Sequence, residues 1–371
     1  MYLMINITKP IITDNEISAV VDVMRSGTIA QGPKVAELEE KFAAYCGTKY
    51  AVAFNSGTAA IHAGLYSLGI KEGDEVITTP FTFIATANPI LMQGAKVVFA
   101  DISESDFNLD PKEVEKKITK KTKAIVPVDL YGQVFNYKDL RKLAAKNGIK
   151  IVEDACQSAG AEQSGEKSGN FGDLAAFSLY ATKNIMCAEG GLVTTNDLKI
   201  AENCKMFRHH GQSEKVKYEY FDLGYNYRLT DISAAIALEQ LKKIDVYNNK
   251  RIHNAEKYLQ GLVGIKGLVL PKVNQGNKHV FHQFTLRITP DSAITREEFI
   301  AKLTEAGIGS GIYYPKPLHM HQCFKKYGYR EGDFPISEKI AKEVVSLPVH
   351  PLVAEQEIGF ITKTIKKIYK V

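Results

Sequence analysis

The chain alternates repeatedly between a short apolar run and an amphipathic stretch, a rhythm that few folds accommodate. Runs this apolar are typical of strands that are covered on both faces, as in a parallel sheet with crossover helices. The pattern therefore predicts an α/β fold with a large, mostly parallel central sheet. The predicted strands lie at residues 50–54, 75–79, 96–100, 124–128, 150–152, 174–179 and 191–195, and helices are predicted at residues 59–68 and 137–146.

The rhythm changes near residue 230, which indicates a second structural unit. One long helix is predicted over residues 231–250, extending at most to 258, followed by a strand over 282–288 and a helix over 295–306 that Thr295 caps. A chain of 371 residues is long enough for two domains. We place the boundary near residue 245. A large domain then covers residues 1–245, with its first residues able to pack on the other domain, and a small C-terminal α+β domain covers residues 246–371.

Charge, cysteine usage and hydropathy together predict a soluble, cytoplasmic protein. The 47 Lys and Arg residues against 42 Asp and Glu residues give a net charge of +5, too mild at this length to indicate nucleic-acid binding. Five cysteines, an odd number without a C-x-x-C pair, fit neither a disulfide framework nor a zinc site, so no metal is predicted. No stretch has the length of a transmembrane helix or the pattern of a signal peptide, so no membrane partner is predicted.

Polar residues follow three of the predicted strands, at the sheet edge where open α/β folds bind ligands. Ser56, Gly57 and Thr58 lead directly into a helix, whose free N–H groups suit a phosphate. Asp154 can hold a cationic ring nitrogen, and Lys183 can act as an amine nucleophile if burial lowers its pKa. Taken singly, the residues at 56–58 fit a plain capped turn better, and most lysines in such a place are surface lysines on a loop. For Asp154 alone, an N-cap or a buried ion pair is about as good an explanation as a cofactor contact. Together they supply what pyridoxal phosphate requires.

Other cofactors fit the sequence less well. No G-x-G-x-x-G follows the first strand, which disfavours a dinucleotide site, and residues 160–167 approach a P-loop but carry Glu166 where its lysine should stand.

Short motifs recur in order over nearly the whole chain, at residues 32–33, 55–60, 81–88, 129–133, 153–161, 182–184, 189–191, 224–231, 314–315, 317–319 and 346–348. In these motifs the chain resembles the DegT/DnrJ/EryC1/StrS family of sugar aminotransferases. The resemblance implies the aspartate aminotransferase fold, which is fold type I of pyridoxal-phosphate enzymes, and a homodimer.

The resemblance also implies which residues contact pyridoxal 5'-phosphate. Lys183 would bind it covalently through its amine and move the proton during transamination. Asp154 would pair with the pyridine nitrogen and keep it protonated. The other implied contacts are those of Gln157 with the ring hydroxyl, of Phe83 with the ring face, and of Gly57, Thr58 and Ser178 with the phosphate.

Four further residues are assigned to the partner subunit or to the substrate. Asn226 would reach the phosphate of the partner subunit's cofactor, so that each site is shared across the dimer. Tyr314 and His319 would lie near the sugar, and Arg228 could supply charge near its diphosphate. For Phe83, Tyr314 and His319 core or interface packing is an equal alternative, and for Arg228 the alternative is an interface ion pair.

The sequence departs from the commonest family pattern at several positions. Asp129 stands where His is frequent, Cys156 where Ala is frequent, and Ala181 where Pro is frequent. None of these changes removes an implied cofactor contact. Asp129 is expected to affect binding of the amino donor or the sugar.

The resemblance implies an aminotransferase acting on a nucleotide-linked keto sugar, with L-glutamate as the amino donor. Residues 224–231 look more like the members that aminate C4, which favours a 4-keto-6-deoxy sugar over a 3-keto sugar. A sugar dehydratase is the second hypothesis, but members of that type carry His at the position of Lys183. A non-catalytic regulator is the third, and intact Lys183, Asp154 and Gln157 argue against it. The sugar, the nucleotide and the pathway, whether polysaccharide or antibiotic, remain open.

Overall fold

The structure, a computed structural model that describes residues 4–213, 216 and 218–371, is built on three sheets within those residues. The strands, in chain order, are β1 (Tyr50–Phe54), β2 (Glu75–Thr78), β3 (Lys96–Phe99), β4 (Thr122–Val126), β5 (Lys150–Asp154), β6 (Glu162–Gln163), β7 (Glu166–Lys167), β8 (Leu174–Ser178), β9 (Gly191–Thr195), β10 (Leu268–Val269), β11 (Asn277–Lys278), β12 (Phe284–Ile288) and β13 (Val344–Leu347).

The largest sheet has seven strands in the order β1-β9-β8-β5-β4-β2-β3. Its strands run parallel except β9, which is antiparallel to both β1 and β8. A parallel return requires a long crossover, usually a helix. Residues 179–190, between β8 and β9, contain no helix, so β9 turns straight back beside β8. The prediction of a mostly parallel sheet is confirmed, and the structure adds the reversed strand.

Helices connect and cover the strands. The helices, in chain order, are α1 (Asp14–Ser26), α2 (Pro33–Cys46), α3 (Gly57–Ser67), α4 (Asn88–Met92), α5 (Pro111–Lys117), α6 (Tyr137–Asn147), α7 (Leu198–Arg208), α8 (Asp231–Leu241), α9 (Ile244–Leu262), α10 (Arg296–Glu305), α11 (Gln322–Lys325), α12 (Pro335–Glu343) and α13 (Glu355–Tyr369).

Strand β1 shows why the predicted strands are apolar on both faces. Val52 and Phe54 join a core that includes residues of α3 and α7, whereas Ala51 and Ala53 join a second core with residues of α2 and α8. Successive side chains of a strand point to opposite faces, so a strand that is covered on both sides has no position for an exposed polar residue.

The prediction of one long helix over residues 231–250 is wrong. Helix α8 ends at Leu241 and α9 begins at Ile244. Residues 242–243 form a turn between them, and Lys243 Nζ bonds the buried carboxylate of Glu16 on α1 at 2.7 Å. Glu16 also accepts from Gln240 Nε2 at 2.8 Å. The break therefore coincides with tertiary contacts to α1, and residues 231–258 contain no Gly or Pro that could signal it locally.

The buried carboxylate of Asp231 joins the motif at residues 224–231 to the motif at residues 32–33. Asp231 accepts hydrogen bonds from the backbone N–H groups of Gly32, Lys34 and Val35 at 2.8–3.1 Å. These groups lie at the start of α2, where a helix lacks internal acceptors. The motifs near residues 32 and 231 thus fix α2 against α8.

The last part of the chain forms a separate core around the three-stranded sheet β10-β12-β13. Thr295 caps α10 in a capping box with Glu298, as its position predicts. The predicted strand over 282–288 begins only at Phe284. Ile5 bonds Gly307 and Gly309 beside this core. The domain boundary near residue 245 stays a prediction.

No helix among the described residues is long and apolar enough to cross a membrane.

Candidate active site

A cavity of about 610 Å³ opens at the edge of the large sheet where β1, β5 and β8 end. These strands run in the same direction, because β1 and β8 are both antiparallel to β9 and β5 is parallel to β8. Their carboxyl ends therefore meet at one edge, as expected for a ligand site in an α/β sheet. The cavity lining includes eight of the predicted site residues: Gly57, Thr58, Phe83, Asp154, Gln157, Ser178, Lys183 and Tyr314.

One end of the cavity is the start of α3. Ser56 caps the helix by accepting from Ala59 N, and Ala60 N bonds Ser56 O. The N–H groups of Gly57 and Thr58 have no acceptor within the described part of the chain, since the first turn of a helix has none of its own. With the hydroxyls of Thr58 and Ser178 nearby in the lining, these donors and the positive end of the helix suit a phosphate.

A glycine is required at position 57 because Ser178 and Cys156 lie very close to its Cα. A Cβ at Gly57 would lie 2.9 Å from Ser178 Cβ and 3.1 Å from Cys156 Sγ, which is tighter than side chains normally pack. A glycine here lets the start of α3 reach the ends of β5 and β8. We infer that the phosphate cradle depends on this missing side chain.

Asp154 ends β5 and is almost fully buried. Its Oδ2 accepts from Thr86 Oγ1 at 2.7 Å and its Oδ1 from Cys156 N at 3.2 Å. Within the described chain no Lys or Arg lies within ion-pair distance of it. A buried carboxylate usually has a cationic partner, and the protonated ring nitrogen of pyridoxal phosphate would be one.

Lys183 lies on a turn after β8, where its backbone N–H bonds Tyr180 O at 2.9 Å. Burial lowers the pKa of its amine, while the nearby Cys156 thiol and Asp154 carboxylate act in the opposite direction. The amine makes no hydrogen bond or ion pair to any described residue, although it lines the cavity. An unengaged amine with a lowered pKa is suited to nucleophilic attack and to proton transfer.

Gln157 has its orientation set by the backbone. Its Oε1 accepts from Tyr131 N at 2.9 Å, which leaves Nε2 as the group able to donate into the cavity. Nε2 also lies 3.4 Å from Tyr314 Oη. The ring of Phe83 is 57% exposed and lies 6.2 Å, centroid to centroid, from that of Tyr314, nearly parallel to it. The exposed ring face is available for stacking against a flat ligand.

The structure does not bring His319, Arg228 or Asn226 into the cavity. His319 is fully buried and its Nε2 lies 3.0 Å from Glu338 Oε1. Arg228 lies 2.6 Å from His209 Nδ1, and Asn226 has an exposed side chain on the segment before α8. Within one subunit these three residues therefore do not line the cavity, although the backbone at Asn226 lies beside Asn55, whose Nδ2 donates to Asn226 O at 3.5 Å. For His319 the geometry favours the packing alternative.

Asp129 also lies outside the cavity lining, so its expected effect on substrate binding stays a prediction. It is fully buried, and its carboxylate accepts from Phe135 N at 3.0 Å and Ser158 Oγ at 2.6 Å. Burial raises its pKa to about 7, despite these hydrogen bonds. Burial raises the pKa of the neighbouring Glu153 as well. The pair supports the loops behind the site and offers no group to a ligand.

Sequence reasoning missed three residues of the site. Thr86 bonds Asp154, and its position three residues after Phe83 within the motif at 81–88 was the available signal. His282 and Gln283 also line the cavity, directly before β12. They come from the last part of the chain, and no local pattern indicated that it would close over this edge of the sheet.

The residues present fit pyridoxal phosphate. Among residues 4–213, 216 and 218–371, the buried carboxylate of Asp154 has no cation within ion-pair distance, the Lys183 amine has no partner, and the start of α3 has free donors beside a glycine that a Cβ would block. These groups match the ring nitrogen, the aldehyde carbon and the phosphate in kind.

Comparison with known proteins points to the same cofactor. The model of the DegT/DnrJ/EryC1/StrS aminotransferase family matches residues 10–366. GDP-perosamine synthase of Caulobacter vibrioides is 35% identical, over 98% of this chain and 98% of that protein. The dTDP-3-amino-3,4,6-trideoxy-α-D-glucose transaminase of Streptomyces venezuelae is 38% identical, over 90% of this chain and 86% of that protein. The solved PLP form of Spr1654 from Streptococcus pneumoniae superposes with a TM-score of 0.94 at 30% identity, over 99% of each chain.

Proposed function

This chain belongs to the DegT/DnrJ/EryC1/StrS aminotransferase family, and we propose that it transfers the amino group of L-glutamate to the keto carbon of a nucleotide-linked sugar. It is a pyridoxal-phosphate-dependent aminotransferase of the fold type I class. The observation that carries the proposal is the placement of an unengaged amine, Lys183, and a buried carboxylate without a cation, Asp154, in one cavity.

Each residue of the cavity has a distinct task in this proposal. Pyridoxal phosphate supplies the electron sink that makes proton removal from the amine-bearing carbon possible. Asp154 holds the proton on the ring nitrogen, and Thr86 fixes the carboxylate in place at 2.7 Å. Lys183 accepts and returns the substrate proton at Nζ, for which its lowered pKa suits it. Gln157 donates from Nε2 to the ring hydroxyl, and Phe83 covers the ring face.

Two relatives are named for sugars that are linked to GDP or dTDP, and this supports a nucleotide sugar as the substrate. We place the amination at C4 of a 4-keto-6-deoxy sugar, on the basis of residues 224–231. Amination at C3 is the alternative, and the name of the Streptomyces venezuelae transaminase favours it. Moving the reaction by one carbon requires only a rotated sugar ring, so the same catalytic groups serve both. Tyr314 would contact the sugar, whereas Arg228, which lies beside His209 outside the cavity, is given no contact with the substrate in this proposal.

A panel of substrates tests this proposal. The purified holoenzyme is incubated with glutamate and with 4-keto-6-deoxy and 3-keto sugars on different nucleotides. We expect amination of at least one 4-keto sugar, with the product identified by mass spectrometry and the aminated carbon by NMR. Amination of 3-keto sugars alone would overturn the C4 assignment but not the nucleotide-sugar class. No amination of any nucleotide sugar, with activity on free keto acids, would overturn that class.

The dehydratase and regulator hypotheses are separated from this one by a simple observation. Borohydride should abolish the visible absorbance of the holoenzyme and leave a mass increment on the peptide that contains Lys183. A protein that holds the cofactor without a covalent bond to Lys183 would lack the mass increment, and a protein without the cofactor would show neither change.

We further propose a homodimer in the cytoplasm, with Asn226 reaching the phosphate site of the partner subunit. Its support is the exposure of the Asn226 side chain and its distance along the chain from Gly57 and Thr58. No nucleic-acid or membrane partner is proposed.

Subunit mixing tests the shared site. Lys183→Ala and Asn226→Asp chains are each expected to be inactive, since the Asp carboxylate repels a phosphate. When equal amounts of the two chains exchange fully, half of the dimers are mixed. Each mixed dimer has one site, of its two, with both intact residues. Activity should therefore return to about a quarter of the wild-type value. Exchange is verified by native mass spectrometry. No recovery after verified exchange would contradict a shared site.

A further inference from the structure

A second, much smaller cavity of about 20 Å³ adjoins the active-site cavity at Thr8, Thr182 and Lys183. Besides Lys183, two cationic side chains line it, those of Lys9 and Arg251. Among the described residues no Asp or Glu lines it. The small cavity, here called the Arg251 cavity, is therefore walled by positive charge without a protein counter-charge.

Arg251 on α9 is the most unusual of these groups. It is only 7% exposed, and its Nη1 donates to the carbonyl oxygens of Phe281 and His282 at 3.3 and 3.4 Å, which are long contacts to neutral acceptors. Its Nε has no acceptor within the described part of the chain. Burial lowers the pKa of the guanidinium to about 10. A buried cation is costly unless it is paired, so this arginine requires a partner.

The other two buried arginines among the described residues are each paired with carboxylates. Arg208 pairs with Glu39, and Arg287 pairs with Glu343 at 2.6 Å and Glu104 at 2.8 Å. Arg251 has no such ion pair among the described residues. The protein therefore supplies carboxylates to the other two and leaves the third facing a cavity.

The carboxylate nearest to the lining residue Gln240 is that of Glu16, and it already has a cationic partner. Gln240 lines the cavity and donates to Glu16 at 2.8 Å, but Glu16 pairs with Lys243 at 2.7 Å. These contacts hold the pKa of Glu16 at about 2, although burial acts to raise it. Asp154 lines the large cavity and not the small one. Neither carboxylate neutralises Arg251.

The size of the cavity limits what can occupy it. A space of about 20 Å³ for water-sized spheres holds a single small particle, and about 10–15 Å³ is the least that one water requires. A phosphate or an amino acid is too large. Water fits but carries no charge, whereas a halide has a similar size and supplies the missing counter-charge.

We propose that the Arg251 cavity binds one small monovalent anion, chloride under ordinary conditions. The anion pairs with Arg251 and lies beside Lys183, on the side away from the pyridoxal phosphate site. It stabilises the contact between α9 and the active-site turn at Lys183. This site is independent of which sugar the enzyme aminates.

Bromide is the direct probe of the site. Crystals of the holoenzyme grown without halide and soaked in sodium bromide should show an anomalous peak within hydrogen-bond distance of the Arg251 guanidinium. A peak there at molar bromide but not at physiological halide concentrations would mean binding at crystal concentration only, and would overturn the proposal. Water in the cavity, with no anomalous signal, would also overturn it.

Thermal unfolding of the holoenzyme gives a second test in solution. At constant ionic strength, replacement of gluconate by chloride should raise the Tm of the wild type by about 1–3 °C. In Arg251→Met this increment should vanish. The matched control is Arg287→Met, which removes a buried arginine that is paired by carboxylates and should keep the increment despite a lower Tm. Equal Tm values of the wild type in both salts, or an increment retained in Arg251→Met, would contradict the proposal. The bromide experiment uses the wild type, so it decides even where Arg251→Met does not fold.

Discussion

Lys183→Ala should lose transamination by about 10³-fold or more while the protein stays folded. Lys183 is the amine of the cavity that no described residue engages, and burial lowers its pKa, so no neighbouring group can replace it in proton transfer. The variant can still hold pyridoxal phosphate through the start of α3 and through Asp154. Single-turnover kinetics with glutamate, followed by the visible absorbance, would measure the loss.

Two controls make this result specific. Lys150→Ala removes an exposed lysine that pairs with Asp173 on the same sheet, and it should leave the rate within a few-fold of the wild type. Small primary amines added to Lys183→Ala should restore part of the rate, because a free amine can then carry the proton. A Lys183→Ala enzyme with near wild-type turnover would refute the assigned role.

Asp154→Asn should lower kcat by about 10²-fold or more, although the shape of the side chain is conserved. The amide oxygen can still accept from Thr86 Oγ1, which now lies 2.7 Å from Oδ2, so the fold should survive. The amide cannot balance the charge of a protonated ring nitrogen, and the cofactor then becomes a poorer electron sink. We expect a changed visible spectrum of the bound cofactor together with the loss of rate.

Asp129→Asn is the matched control for Asp154→Asn. Asp129 is equally buried, but it bonds Phe135 N and Ser158 Oγ and does not line the cavity. Burial raises its pKa to about 7, so the carboxyl is mostly neutral below that pH and a neutral amide is a mild replacement there. Its kcat should remain within a few-fold of the wild type. Equal losses in the two variants would show that burial of a carboxylate, and not its contact with the ring nitrogen, governs the rate.

The arrangement of the central site could be foreseen because each of its parts depends on local sequence. The apolar runs define strands, and polar residues directly after parallel strands must meet at the same sheet edge. Asp154, Lys183 and the Ser56–Thr58 turn therefore converge, whatever the rest of the chain does. This convergence does not depend on the exact ends of the strands. Strand β5, for example, ends at Asp154, two residues after the predicted end at residue 152.

Contacts between distant segments could not be foreseen in the same way. The break between α8 and α9 has no Gly or Pro to mark it and coincides with the bond from Lys243 to Glu16, more than two hundred residues away in the chain. Nothing in the local sequence indicates that the side chain of Asp129 turns inward toward Ser158 and Glu153. His319, in a motif next to Tyr314, is buried against Glu338 instead.

The sequence by itself determined the α/β class and which strand ends carry the polar residues that line the cavity, because periodicity and motif order depend on neighbouring residues. Only the tertiary structure decided which polar side chains face the cavity and which are buried behind it. It also decided that Arg208 and Arg287 each pair with a carboxylate, whereas Arg251 pairs with none in the part of the chain that the structure describes. Such pairings depend on the packing of remote elements, and the free energy of a buried charge is set by whatever that packing places beside it.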